Sequence, residues 1–358
     1  MSNITRTVHE AMRLMKTGDL RAATQAIQLG LRGKAQLLHD ASQPTVSGAA
    51  APDVEGEYRV IPDRPGDAPG AGARSWESVH GFKCAAGAMQ YKLFIPEGLG
   101  DAPPPLIVML HGCTQSPDDF ARGTRMNALA REHGYVVAYP AQSKSRNPRK
   151  CWSWFLSENQ QRGRGEAAII AGLTRHVVKA HGLDERRVYI AGLSAGGAMA
   201  AVLGSTYPEL YAAIGVHSGL PVGAAHDIPS AFAAMKDGPR GSFAASQVPA
   251  IVFHGDGDTT VDPGNGAAVI AQSIGAANAG AGVAAGRQTV ERGSVSGGRE
   301  YTRTLFTHPD GSVAAEQWVV HGAPHAWSGG DPAGSYTDPL GPDASGHMLR
   351  FFSGFRRS

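Results

Sequence analysis

One serine, one histidine and three aspartates stand where nucleophilic chemistry could be done. Ser194 lies in Gly192-Leu193-Ser194-Ala195-Gly196, between the apolar, β-prone run VYIAGL and a run of small helix formers. Two readings fit that spacing. Either the glycines only make a tight strand-to-helix turn, or they make it so that the Ser194 hydroxyl projects above the sheet. A serine at its ordinary pKa is a poor nucleophile and needs a base that is itself held by an acid. In the chain order serine, acid, histidine, the stretch HGDGDTTVDPGN supplies Asp256, Asp258 and Asp262 just past another apolar run. Asp258 is the expected acid, because the loop must travel a little beyond the strand end before turning towards a histidine. Asp256 is the second choice, and Asp262 suits a helix cap. WVVHGAPHAW then offers His321 at a strand end and His325 in the loop that follows. A loop histidine can swing over the sheet edge, so His325 is the expected base and His321 a structural residue.

The oxyanion that forms on attack needs two N–H donors. Ala195, directly after the serine at the helix start, is expected to give one. The other is expected from LIVMLHGCTQS, at the Cys113 backbone, with Gly112 making the turn. The Cys113 thiol is not expected to be the nucleophile, since no base follows it. Trp327, two residues after His325, is expected to touch substrate. Trp152 and Trp154, alternating in CWSWF, either line the same mouth or pack the core. Asp331, Ser335, Tyr336 and Asp338 either shape the pocket or hold the loop after His325 by hydrogen bonds. The three cysteines have no metal-binding spacing, and no metal or cofactor is expected. A bridge between Cys113 and Cys151 would tie two site-lining segments together, and it would open in a reducing cytosol.

Positioning these residues takes alternating strands and helices. PLIVMLHG, YVVAYPAQ, RRVYIAGLS, AAIGVHSG and PAIVFHGDGD read as short buried strands, and segments such as GEAAIIAGLTRHVVKAHG between them carry helical spacing. Such alternation implies an α/β fold: a mostly parallel central sheet with helices on both faces. In such sheets ligands bind outside the carboxyl ends of the strands, which is where every residue named above falls.

At 358 residues the chain can bury a sizeable core, and its 42% hydrophobic and 18% charged content is that of a globular protein. A net charge of +2, with no basic block, gives no reason to expect nucleic acid as a partner. No run is long and apolar enough to be read as a transmembrane segment. Residues 1–40 have helical spacing broken at Gly18-Asp19 and read as a helical extension. It either docks on the domain or a second copy, or contacts a granule or membrane surface. Residues 41–75, rich in Pro, Gly and Ala, read as a linker, and residues 76–358 as the catalytic domain. With no recognisable signal peptide, a cytoplasmic location is expected, secretion being the alternative.

LHGCTQSPDDFARGTRMNALAREHGYVVAYPAQ, CWSWF, GLSAGG, HGDGDTTVDPGN and HAWSGG with SYTDPLGPDAS occur in that order. Together they resemble the polyhydroxybutyrate depolymerase family of esterases, which also includes feruloyl and acetylxylan esterases. The resemblance runs from about Met89 onward. It implies an α/β-hydrolase fold and a serine esterase without metal or cofactor. Position by position it implies Ser194 as nucleophile, Asp258 as acid, His325 as base, and Cys113 and Ala195 as oxyanion donors. The implied substrates are short hydroxyalkanoate esters, their oligomers or polyhydroxybutyrate, with feruloyl or acetylxylan esters as the alternative. A non-catalytic granule-associated protein is the remaining reading, and the intact order of the motifs speaks against it.

Overall fold

The computed structural model describes residues 56–61, 76, 78–241, 243–246, 248–279 and 287–358. The helical reading of residues 1–40 lies outside the described residues, as does most of the segment 41–75. Within that segment, however, Gly56–Ile61 is a strand, β1, pairing antiparallel with β2 (Val79–Cys84). Tyr58, Val60 and Ile61 give this short run its β character between Pro- and Gly-rich flanks.

β2 pairs antiparallel with β3 (Gly87–Phe94), which in turn pairs antiparallel with β5 (Val136–Ala141). From there the sheet is parallel through β4 (Leu106–Leu110), β6 (Val188–Leu193), β7 (Ala213–His217), β8 (Ala250–Gly255) and β11 (Val313–Val320). β10 (Glu300–Thr307) and β9 (Arg287–Ser294) close that side as an antiparallel hairpin. The expected mostly parallel sheet is therefore present, with antiparallel strands added at both edges.

The central strands are apolar on both faces because both faces are covered. Along β4, Leu106, Val108 and Leu110 join one core while Ile107 and Met109 join the other. β6 divides the same way, with Val188 and Ile190 on one side and Tyr189, Ala191 and Leu193 on the other. Period-2 alternation thus sorts residues between two cores rather than between core and water. Each fully buried aliphatic side chain contributes about 1.5–3 kcal/mol.

Helix ends follow local chemistry. α1 (Pro117–Thr124) starts with Ser116 accepting from the Asp119 amide and with Pro117 in the first turn. It runs through left-handed Arg125 into α2 (Met126–His133). α3 (Gly165–His181) stops at Gly182 with φ 60°, a conformation that costs glycine little. α4 (Ala195–Thr206) follows β6 after the single residue Ser194. α5 (Ile228–Asp237) is fixed by a capping box between Asp227 and Ser230. α6 (Gly264–Ala279) precedes β9, and α7 (Ala344–Ser353) packs near β7 and β8. Two short strands, β12 (Trp327–Ser328) and β13 (Thr337–Asp338), pair beside the His325 loop.

Candidate active site

The Gly-x-Ser-x-Gly turn is sterically obligatory. A Cβ on Gly192 would collide with the Gly196 backbone, and one on Gly196 would collide with the Leu110 carbonyl. Ser194 itself takes φ 57° and ψ −121°, a conformation costing a non-glycine residue about 1–3 kcal/mol. Its amide donates to the His217 carbonyl at 2.9 Å, and its carbonyl accepts from Ala198 at 2.9 Å, so the strained residue is held from both sides.

The other predicted residues converge on the same end of the sheet. The Asp258 carboxylate, its side chain fully buried, accepts from His325 Nδ1 at 2.6 Å. Its second oxygen accepts from the Thr260 and Val261 amides at 2.8 and 2.9 Å. His254 Nε2 lies 3.4 Å from the carboxylate and 2.9 Å from the Val261 carbonyl. Burial alone would raise the Asp258 pKa. The hydrogen bonds from His254, His325 and Val261 outweigh it and hold the carboxyl far below the usual carboxylate range. Asp256 is not in this cluster; it pairs with His321 Nδ1 at 2.7 Å on a more exposed surface. Asp262 accepts from the Gly264 amide at the start of α6, as a cap would.

Ser194 and His325 both line a cavity of about 460 Å³, and so do Cys113 and Ala195. Neither the Cys113 nor the Ala195 amide is engaged by another group among the described residues. The loop carrying Cys113 is held by buried polar side chains. Gln115 Oε1 accepts from the Gly112 amide at 2.9 Å, and its Nε2 donates to Asp119 and to the Ser335 carbonyl, each at 3.0 Å. His111 Nε2 accepts from the Gln142 amide, so the proton sits on Nδ1, which donates to the Gly112 carbonyl at 2.7 Å. Burial pushes the His111 pKa down to about 4, which keeps the ring neutral near pH 7. The Cys113 and Cys151 sulfurs are bonded, with Cα atoms 4.2 Å apart, and Cys84 is free.

The tryptophans divide. Trp152 and Trp154 line the cavity and are also core residues, Trp152 donating from Nε1 to the His111 carbonyl at 2.9 Å. Trp327 corrects the expectation of substrate contact. It is 1% exposed, stacks on His217, meets Phe120 edge-on and donates to Ser345 Oγ at 3.0 Å. It points away from the cavity, because its place in β12 fixes its direction. Of the tail residues, Tyr336 lines the cavity and bonds Thr114 Oγ1 at 3.2 Å, whereas Ser335 and Asp338 tie the loop in place.

Sequence reasoning missed the outer wall. Ile228, Ala231, Phe232 and Met235 project from α5 into the cavity. They fall at i, i+3, i+4 and i+7 after the Asp-Ile-Pro start, a signal readable in the sequence. Arg149 also lines the cavity.

This arrangement of strands, helices and elbow is an α/β-hydrolase fold. The structure of acetyl xylan esterase from Aspergillus awamori matches it with a TM-score of 0.57 at 20% identity, covering 74% of this chain and 94% of that one. The chain belongs to the polyhydroxybutyrate depolymerase esterases: residues 89–293 match the family model described as Esterase PHB depolymerase. Poly(3-hydroxyalkanoate) depolymerase C of Paucimonas lemoignei is 34% identical over 201 residues, covering 52% of this chain and 48% of that protein. Feruloyl esterase B of Thermothelomyces thermophilus is 31% identical over 160 residues, covering 44% of this chain and 54% of that protein. The chain thus spans about half the length of these curated relatives. Among the described residues, no helix is long and apolar enough to cross a membrane.

Proposed function

We propose that the chain is a serine hydrolase of carboxylic esters, with short hydroxyalkanoate esters and oligomers as its substrates. The observation that carries this reading is the grouping of Ser194, the Asp258–His325 pair and two unengaged amides at one apolar cavity. His325 takes the proton as Ser194 Oγ attacks the ester carbonyl, and the resulting oxyanion lies on the Cys113 and Ala195 amides. The acyl–oxygen bond then breaks, and His325 returns the proton to the departing alcohol. A water, deprotonated by the same imidazole, clears the acyl-enzyme. Asp258 fixes the ring with its proton on Nδ1, so that Nε2 is free to accept. The strained Ser194 backbone keeps the hydroxyl presented without a conformational search. The name of the Paucimonas relative favours hydroxyalkanoates over aryl and acetyl esters. The Cys113–Cys151 bond favours an oxidising compartment over the cytosol.

The test is Ser194→Ala against wild type on 4-nitrophenyl butyrate. The variant should lose at least about 10⁴-fold in kcat. Equal rates would overturn the proposal.

A further inference from the structure

We infer that Arg149 is a carboxylate-binding subsite, so that the preferred substrates are hydroxy-acid esters whose leaving alcohol carries a free carboxylate. The inference rests on the ester-hydrolase reading and names a substrate class within it. No Asp or Glu lines the cavity; among its lining residues Arg149 is the sole Lys or Arg, and eight of the other nineteen are Trp, Phe, Leu, Ile or Met. Among the described residues the Arg149 guanidinium makes no ion pair or hydrogen bond; the contacts of this residue are all through its backbone. Some arginines of the domain are paired with carboxylates, Arg162 with Glu209 and Arg303 with Glu316. The segment 143–157 adds Lys144, Arg146 and Lys150 and contains no Asp or Glu, so the local potential favours an anion.

Arg149 is also held in register with the reacting atoms. Its carbonyl accepts from the Thr114 amide at 2.6 Å, and its own amide donates to Asn147 Oδ1 at 2.9 Å. Two residues on, Cys151 is bonded to Cys113, whose amide is one of the proposed oxyanion donors. The base of the arginine is therefore fixed relative to the carbonyl that would be attacked. Arg149 is an exposed residue of the cavity wall, and a guanidinium there can be met by a planar, bidentate acceptor such as a carboxylate.

A dimer of 3-hydroxybutyrate supplies both parts. The hydroxyl-end unit is the acyl group and the carboxyl-end unit is the leaving alcohol, its carboxylate on Arg149. Water adds across the acyl–oxygen bond to give two 3-hydroxybutyrate molecules, and no other reactant is consumed. The same guanidinium would hold the carboxyl end of a longer oligomer.

The experiment compares this dimer with its carboxyl-terminal primary amide, which is isosteric and uncharged, by following 3-hydroxybutyrate release. Wild type should show a kcat/KM ratio of acid to amide of at least about tenfold, falling as ionic strength rises. Arg149→Gln should bring the ratio close to one, Arg149→Lys should keep part of it, and Lys179→Gln, in the last turn of α3 and outside the cavity, should leave it unmoved. A wild-type ratio near one, or a ratio unmoved in Arg149→Gln, overturns the subsite while leaving the esterase reading intact. Release from neither dimer, with wild type and Ser194→Ala alike on 4-nitrophenyl butyrate, overturns the esterase reading and the subsite with it.

Discussion

Two aspartate–histidine pairs sit side by side at the end of the sheet, and they are almost indistinguishable by distance. Asp258 meets His325 Nδ1 at 2.6 Å and Asp256 meets His321 Nδ1 at 2.7 Å, the acids being two residues apart and the histidines four. Their surroundings differ. The Asp258 side chain is 0% exposed and that of Asp256 is 43% exposed. Asp258 is held by two further amides and by His254, and the ring it orients borders the cavity beside Ser194. His321 turns its other nitrogen to Thr302 Oγ1 at 2.9 Å, and Asp256 accepts from the Gly322 amide, so this pair clamps the start of the loop that carries His325. A short Asp–His contact is therefore no signature of chemistry. What separates the two pairs is desolvation, and what the second ring nitrogen faces.

The sharpest way to break this comparison is to neutralise each acid in turn. Asp258→Asn removes the group that sets the His325 tautomer, and kcat on a short-chain ester should fall by about 10⁴-fold. A loss below about tenfold would place the working acid elsewhere. The second contrast is acid stability, read as the urea midpoint between about pH 7 and 2.5. Both carboxyls titrate below their usual values in the folded protein, Asp258 much further than Asp256. A depressed folded pKa means the unfolded chain binds the proton first. Each carboxylate thus stabilises the fold above about pH 4 and loses that contribution as pH falls towards its folded value. The stability gap between wild type and Asp258→Asn should narrow as pH drops below about 4, and the Asp256→Asn gap should be smaller throughout. The reverse order would contradict the assignment of the two environments. The smallest effect expected is that of Asp256→Asn at neutral pH. Activity should stay within about threefold and stability within about 1 kcal/mol, as for other exposed pairs.

Much of this was legible in the sequence because backbone geometry leaves a local mark. The elbow needs glycine at 192 and 196 for want of space, and β4, β6, β7 and β8 are continuous apolar runs because both their faces are covered. The order HGC, GLSAGG, Asp258, His325 follows from which strand ends meet. Direction was not legible. Trp327 is two residues from His325, yet its pairing opposite Thr337 turns it into the core. The helical stripe of α5 was hidden by flanking Gly, Pro and Asp residues, and β1 by the Pro/Gly/Ala-rich composition around it. Arg149 had no motif at all. Its significance lies in the acidic partner it lacks, and that shows only when its neighbours in space are known.

The Cys113–Cys151 bond makes the purity of a preparation countable. The chain has three cysteines, and in the folded protein Cys84 alone is free. Material made under oxidising conditions should titrate one thiol per chain, and material made in a reducing host three. An average between those numbers measures the fraction of molecules whose Cys113 loop is covalently tied to the Cys151 segment. Specific activities from different expression hosts are therefore compared with that fraction stated beside each.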